Sequence, residues 1–302
     1  MALRFAQHIG NSLLSLAKIA IRSRLMPRFQ SSDSAVIVVG NGPSAKPLLD
    51  AWAASGKSPL PLMAVNMMAR SPYFEALKPA YYLLADGAFF NFEEAIYQRA
   101  ELHPHCQRHE GYQQTQTLIN ETWQSLLSPQ AHPFTLFIPQ IYKNRWITRQ
   151  AEASSHVKVV YFNYTVARGF EWFENWAYRK GLGSPQSQNV INSCTFQAIN
   201  SGFREVYLIG VDNNFHRNIK VREDNQVVVV DDHFYEVGQK ETPLKRDDAR
   251  NSPVRMHEFF ANLHKAFYAH HRLASYAQYR GVQVYNATEG SFIDAYERRA
   301  LP

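Results

Sequence analysis

A chain of 302 residues with 45% apolar and 13% aromatic residues against 19% charged ones holds enough apolar mass for a packed interior, which excludes a disordered protein. Its two cysteines, Cys106 and Cys194, stand far apart and outside any CxxC pattern; neither a disulfide framework nor a cysteine zinc site is indicated, and a cytoplasmic, reducing compartment is expected. A net charge of +6 suits a phosphate-bearing ligand or an anionic membrane surface, whereas the scattered basic residues carry no nucleic-acid-binding module, so no nucleic acid is expected as a partner.

Residues 1–30 read as a separate appendage. Arg4, Lys18, Arg22, Arg24 and Arg28 are basic and no acid precedes Asp33, while Phe5, Ile9, Leu13, Leu16 and Ala20 recur at helical spacing. This is a basic amphipathic helix. Lys18 and Arg22 interrupt its apolar run, so it is too short to span a bilayer, and it lacks the cleavage site of a signal peptide. Two fates are open: peripheral contact of residues 1–28 with the inner face of the cytoplasmic membrane, or packing on the chain's own domain or on a partner, an oligomer included.

Residues 31–302 read as one α/β domain. After a linker at 30–34, strands are expected at 36–39, 62–65, 81–85, 135–138, 157–162, 206–209 and 282–285, with helices at 45–54, 90–102, 166–180, 191–201 and 257–280. The alternation predicts a mostly parallel, Rossmann-like sheet with helices on both faces and a ligand beyond the carboxyl ends of its strands. Those ends concentrate small and polar groups: Gly40-Asn41-Gly42, Asn66, Asp86, the run from Gly210 to Asn214, and the run from Asn286 to Gly290. Residues 213–252 contain His216, Arg217, Lys220, Arg222, a strand-like stretch at 227–230 and Asp231-Asp232-His233, with little apolar periodicity; the pattern predicts a lid beside the rim.

The loop Gly40-Asn41-Gly42-Pro43-Ser44 follows a strand and opens a helix, where unpaired backbone N–H groups and the helix dipole attract a phosphate. Glycines let the backbone come close, and Ser44 can cap the helix. The spacing also fits GxGxxA of dinucleotide-binding folds, but those place an acid at the end of the next strand to hold the ribose, and this chain has Asn66 there. A plain tight turn is the bland alternative. His103, His105, Cys106 and His109 have zinc-ligand character without a second half, so no metal site is assigned. Asp231 and Asp232 suit a hard cation, or else form a solvated turn. No GxSxG, HExxH or Walker lysine is present.

With the rim in view, the pattern resembles the bacterial lipooligosaccharide sialyltransferases and the related domain of motility accessory factor and MptE-like proteins. The resemblance rests on Gly40 to Ser44, on the strand ending at Asn66, on YYLLAD ending at Asp86, and on the passage from Asn192-Ser193 through REVYLIGVD ending at Asp212. The closing YNATEG, Tyr285 to Gly290, resembles the motility accessory factor branch more. It implies a GT-A-like fold with a lid, a CMP-sugar donor of the sialic acid type, a glycan or glycoprotein acceptor, and no obligatory cofactor. Carried over by position, Gly40, Asn41, Gly42 and Ser44 would line the CMP phosphate and ribose, and Asn66, Asn192 and Ser193 the nucleotide. Asp86 stands where the sialyltransferases have Asn, and Asn214 where they have a tyrosine that steadies the departing phosphate. Arg217, Lys220 or Arg222 would have to replace that tyrosine. The family's base is a lid histidine, for which His233 is the best counterpart and His216 and His257 are alternatives. Two further readings stay open: an MptE-like pterin diphosphokinase, which would need Mg²⁺ held by Asp86, Asp212, Asp231 or Asp232, and a non-catalytic nucleotide-binding protein.

Overall fold

Apolar runs form the strands of the main sheet, Ala35–Val39, Leu62–Val65 and Glu205–Ile209 among them closed by glycine or asparagine, and all but the outermost are covered on both sides. The computed structural model describes residues 2–90, 110–231, 240–245 and 252–302. In chain order these are α1 (Ala2–Arg22), β1 (Ala35–Val39), α2 (Lys46–Ser55), β2 (Leu62–Val65), α3 (Pro72–Leu77), β3 (Tyr81–Leu83), α4 (Glu110–Leu126), β4 (Phe134–Pro139), α5 (Trp146–Ala153), β5 (Val157–Phe162), α6 (Glu171–Arg179), α7 (Val190–Asn200) and β6 (Glu205–Ile209). There follow β7 (Ile219–Val221), β8 (Val227–Asp231), β9 (Lys240–Pro243), α8 (Met256–Arg280), β10 (Gln283–Asn286) and β11 (Glu297–Arg298).

Eight strands form a parallel sheet in the order β11-β10-β6-β1-β2-β3-β4-β5. This is the expected α/β architecture. Alternate residues of β1 serve two cores: Val36 and Val38 pack with Cys194 of α7 and Leu273 of α8, and Ile37 and Val39 with Leu49 of α2 and Trp123 of α4. Both faces of the strand are therefore dry, which is why it reads as an unbroken apolar run without alternation. The chain builds β1 to β5 outward in one direction and then returns to place β6 on the other side of β1. The order reverses between β1 and β6, and such a reversal leaves a crevice at the carboxyl ends of the two strands.

One expectation is corrected, one lies outside the described residues, and one gains detail. The helix expected at 166–180 begins only at Glu171, because Val166 pairs with Ser184 and Gly169 adopts φ 151, a conformation no helix tolerates. The helix expected at 90–102 lies outside the described residues except for Phe90, which ends a 3₁₀ turn, Gly87–Phe90. The lid segment carries its own architecture, since β7, β8 and β9 form an antiparallel sheet in which Val227, Val228 and Val229 are buried. The stretch at 227–230, strand-like in the sequence, is part of the middle strand of this sheet.

One face of the N-terminal helix packs on the domain. Ile19 joins the core, and the polar residues of α1 make the specific contacts. Ser15 Oγ donates to the Arg168 carbonyl at 2.8 Å and accepts from the Arg168 N–H at 2.9 Å. Ser12 Oγ accepts from the Phe170 N–H at 3.1 Å, His8 Nδ1 lies 2.8 Å from the Gly169 carbonyl, and Ser23 just past the helix donates to the Leu182 carbonyl at 2.6 Å. Among the described residues no helix is long and apolar enough to cross a membrane.

Candidate functional site

The crevice between β1 and β6 opens into a cavity of about 390 Å³, lined by residues at the ends of β1, β2, β3 and β6, by Tyr164, and by residues 187–191 at the start of α7. Its floor is two crossed loops. The Gly40 N–H donates to the Ile209 carbonyl at 2.8 Å and the Gly42 N–H to the Gly210 carbonyl at 2.9 Å. A Cβ on Gly40 would stand 2.3 Å from the Gly210 oxygen, and one on Gly42 would stand 1.8 Å from Asp212 Oδ2. Gly210 reciprocates at φ +64, where an added Cβ would meet the Gly40 oxygen at 2.5 Å. The glycines thus serve first to let the two loops interlock, a long-range need that no local spacing announces.

Ser44 does not cap a helix. Residues Pro43–Ala45 form a 3₁₀ turn before α2, the N-cap of α2 is Ala45 without a side-chain bond, and Ser44 Oγ donates instead to Asp212 Oδ2 at 2.8 Å. A carboxylate is thereby fixed at the cavity wall. Asp86, the other acid of the rim, is exposed and accepts from the Ala88 N–H at 2.9 Å. Its charge adds to burial in pushing the hydroxyl of neighbouring Tyr142 above its ordinary pKa.

Asn66, directly after β2, and Asn213, in the loop after β6, adopt the left-handed region at φ 49 and φ 50. Non-glycine residues adopt it at a cost of about 1 kcal/mol or more, and such strain collects where a side chain must point at a ligand. The carbonyl of Asn66 is held by the Tyr82 hydroxyl, but its amide oxygen is buried without a hydrogen-bond partner. The same holds for Asn41 Oδ1, Asn213 Nδ2 and Ser187 Oγ. All four belong to residues that line the cavity. A buried polar atom left unpaired costs about 1–3 kcal/mol, so four on residues of one cavity wall single this cavity out as the candidate site.

The other expected site residues fall elsewhere. Asn192 is fully buried and spent on structure: its side-chain oxygen accepts from the Gln188 N–H at 3.3 Å, its amide donates to the Ala266 carbonyl at 3.4 Å, and with Asn189 it closes a capping box on α7. Ser193, 1% exposed, does not line the cavity. Asn214 lines the cavity, as do Phe215 and Asn218. Arg217 places its guanidinium 4.6 Å from the Phe292 ring centre, His216 packs edge-on against the same ring, and Lys220 pairs with Glu241 at 3.2 Å. None of these three lines the cavity. His257 lines a separate depression with Lys245 and Glu258. His233, Asp232 and the cluster from His103 to His109 lie outside the described residues, as does the side chain of Asp231. Among the described residues no group of three or more His, Cys, Asp or Glu converges to hold a metal ion.

Sequence reasoning missed Tyr164 and the polar run Ser187-Gln188-Asn189, both on the cavity wall. Three uncharged polar residues ahead of a buried helix were the available signal for the run, but Tyr164 sits in the loop after β5 with no motif.

No family model matches this chain, and no curated protein matches it. Among solved structures it is similar to the MAf glycosyltransferase from Magnetospirillum magneticum AMB-1, at 15% identity and a TM-score of 0.43. The likeness covers 97% of this chain and 38% of that one, so this chain spans well under half of that protein's length.

Proposed function

We propose that the protein is a glycosyltransferase that binds a CMP-activated sugar in the cavity between β1 and β6 and transfers the sugar, a sialic acid or other nonulosonate, to a glycan or glycoprotein acceptor. The observation that carries the reading is the set of unpaired, buried polar atoms on Asn41, Asn66, Ser187 and Asn213 around a cavity of about 390 Å³ at the sheet's reversal point. The volume is that of a small-molecule site, and neutral amide and hydroxyl groups suit the edge of a pyrimidine and the hydroxyls of a ribose. Backbone N–H groups of the Gly40 to Ser44 loop and the dipole of α2 supply the field for the phosphate.

Transfer requires a base for the acceptor hydroxyl and donors for the leaving phosphate. His233 takes the first role in this reading. Arg217 and Lys220 take the second only by leaving the partners they hold, Phe292 and Glu241. No metal is required for this chemistry.

One observation favours a second reading. Asp86 and Asp212 line the cavity, and no Lys, Arg or His is among the described residues that do. A polyphosphate facing two carboxylates needs a divalent cation between them, which is the arrangement of a diphosphokinase.

A thermal-shift panel of CMP, CDP, ATP and NAD, each with and without Mg²⁺, separates the readings. A ligand at about 100 times its Kd stabilises the native state by about 2.7 kcal/mol, enough to move the melt by several degrees. CMP stabilising without metal supports the transferase. ATP stabilising only with Mg²⁺ replaces it with the diphosphokinase, and NAD alone with a dinucleotide site. No shift from any of the four removes the nucleotide reading.

A further inference from the structure

The amphipathic helix α1 is mounted with its polar side inward. His8, Ser12, Ser15 and Ser23, spaced along one stripe, hydrogen-bond to the chain at 165–170 and 182. Close approach is required there, since a Cβ on Gly169 would lie 2.0 Å from Ser12 Oγ. The apolar stripe consequently faces away from the protein: Leu3 is 85% exposed, Leu13 63% and Ile21 71%, with Phe5 and Leu16 on the same exposed side. A surface helix ordinarily shows the reverse arrangement.

The stripe continues onto a second element. The Phe5 ring meets Phe170 edge-on at 5.4 Å, Phe170 stacks with Trp172 at 6.4 Å, and Trp172 at the start of α6 is 70% exposed. Beside Trp172, Glu171 is paired with Arg272 at 3.3 Å, and along α1 itself the charge is of one sign. Arg4, Lys18, Arg22, Arg24 and Arg28 fall within it or just beyond, and no Asp or Glu occurs before Asp33.

We infer that α1 and Trp172 together form a preformed platform that lies in the interface of a bilayer with anionic headgroups. The leucines and Phe5 would enter the acyl boundary, the tryptophan would sit at headgroup level, and the arginines would meet lipid phosphates. A second copy of this chain is the less suitable occupant, because it would bring the same five cations against themselves. This inference is independent of the nucleotide reading.

The full chain is tested by sedimentation with vesicles of phosphatidylcholine alone and with about a third phosphatidylglycerol. Binding is expected to the anionic vesicles only and should weaken by at least about tenfold between 0.1 and 1 M salt, where screening shortens to about 3 Å. The variant Leu13→Glu/Ile21→Glu should bind about a hundredfold more weakly, with an unchanged melting temperature, because neither side chain is packed in the protein. Trp172→Ala should weaken binding less, and Leu13→Phe/Ile21→Leu should retain it. The inference is overturned if the wild type ignores anionic vesicles, if it binds neutral ones equally, or if the glutamate variant binds as well as the wild type. It is also overturned if that variant turns a wild-type dimer into a monomer without affecting vesicle binding, or loses its cooperative melt.

Discussion

Ser44 Oγ and Asp212 Oδ2 meet at 2.8 Å, which ties the loop after β1 to the loop after β6 across the reversal in strand order. A hydrogen bond to a carboxylate in a partly buried place contributes about 1.5–3 kcal/mol. A double-mutant cycle of Ser44→Ala and Asp212→Asn should therefore show a coupling of about 1–2 kcal/mol in denaturant unfolding. Additive effects within about 0.5 kcal/mol would mean the bond contributes little in solution.

Gly42→Ala tests the interlock directly. Its Cβ would stand 1.8 Å from Asp212 Oδ2 and 2.7 Å from the Gly210 carbonyl, so the carboxylate must swing away and the loop must shift. The expected result is destabilisation by about 2 kcal/mol or more together with loss of nucleotide binding. Adding Asp212→Gly should restore part of the stability by removing the colliding atoms. If Gly42→Ala melts and binds as the wild type does, the glycine is there for some reason other than the crossing.

The sheet was legible in the sequence because β1, β2 and β6 are buried on both faces and bounded by Gly or Asn, a signal that survives without partners. The rim followed from it, since residues at carboxyl ends of parallel strands must share one edge. Three things were illegible for one physical reason, that they depend on distant contacts. Asn192 looks like a ligand group until α8 supplies Ala266 for its amide; Gly42 looks like a phosphate glycine until Asp212 arrives from 170 residues away. The apolar stripe of α1 was read correctly, yet which side it turned to the domain depended on backbone groups at 168–170.

His270 should make the fold acid-sensitive. It is fully buried on α8, bonded through Nδ1 to the Tyr296 hydroxyl at 3.1 Å, and burial chiefly pushes its pKa down to about 3, with His271 adding to the effect and Asp294 opposing it. The unfolded histidine binds a proton near pH 6.5 and the folded one does not, so between about pH 6.5 and 3 the unfolded state holds more protons. Stability then rises with pH across that window and falls by up to about 1.4 kcal/mol for each unit of acidification. His270→Gln should flatten the dependence by one proton relative to the wild type, read from denaturant midpoints at several pH values. An unchanged slope would show that His270 is not the group responsible.

His233, which lies outside the described residues, is assigned the base on sequence grounds, and its test separates binding from turnover. His233→Ala should slow sugar transfer by about a hundredfold or more while CMP affinity stays near wild type, because the residue acts on the acceptor proton. Incubation with CMP-Neu5Ac and other CMP-nonulosonates, followed by CMP release in the presence of acceptor, measures it. Undiminished release by His233→Ala passes the role to His216, which packs on Phe292 near the cavity, before His257, which lies in a separate depression.

Asn66 and Asn286 should respond to substitution in opposite ways, because both end strands of the same sheet but only one has its amide satisfied. Asn286 donates to the Ile293 carbonyl at 3.0 Å and accepts from the Thr288 N–H at 3.1 Å, so Asn286→Ala breaks buried bonds and should cost about 2 kcal/mol. Asn66 holds φ 49 with its amide oxygen buried and unpaired. Asn66→Gly removes the orphaned oxygen and relaxes the left-handed backbone, gains that offset the greater freedom glycine has in the unfolded chain. Its stability should therefore equal or exceed that of the wild type. Affinity for CMP should nevertheless fall by about tenfold, since the atom removed is one the ligand would satisfy. Denaturant unfolding gives the first quantity and titration calorimetry the second. A variant that loses stability without losing affinity would make Asn66 a structural residue and take away one of the four groups on which the site rests.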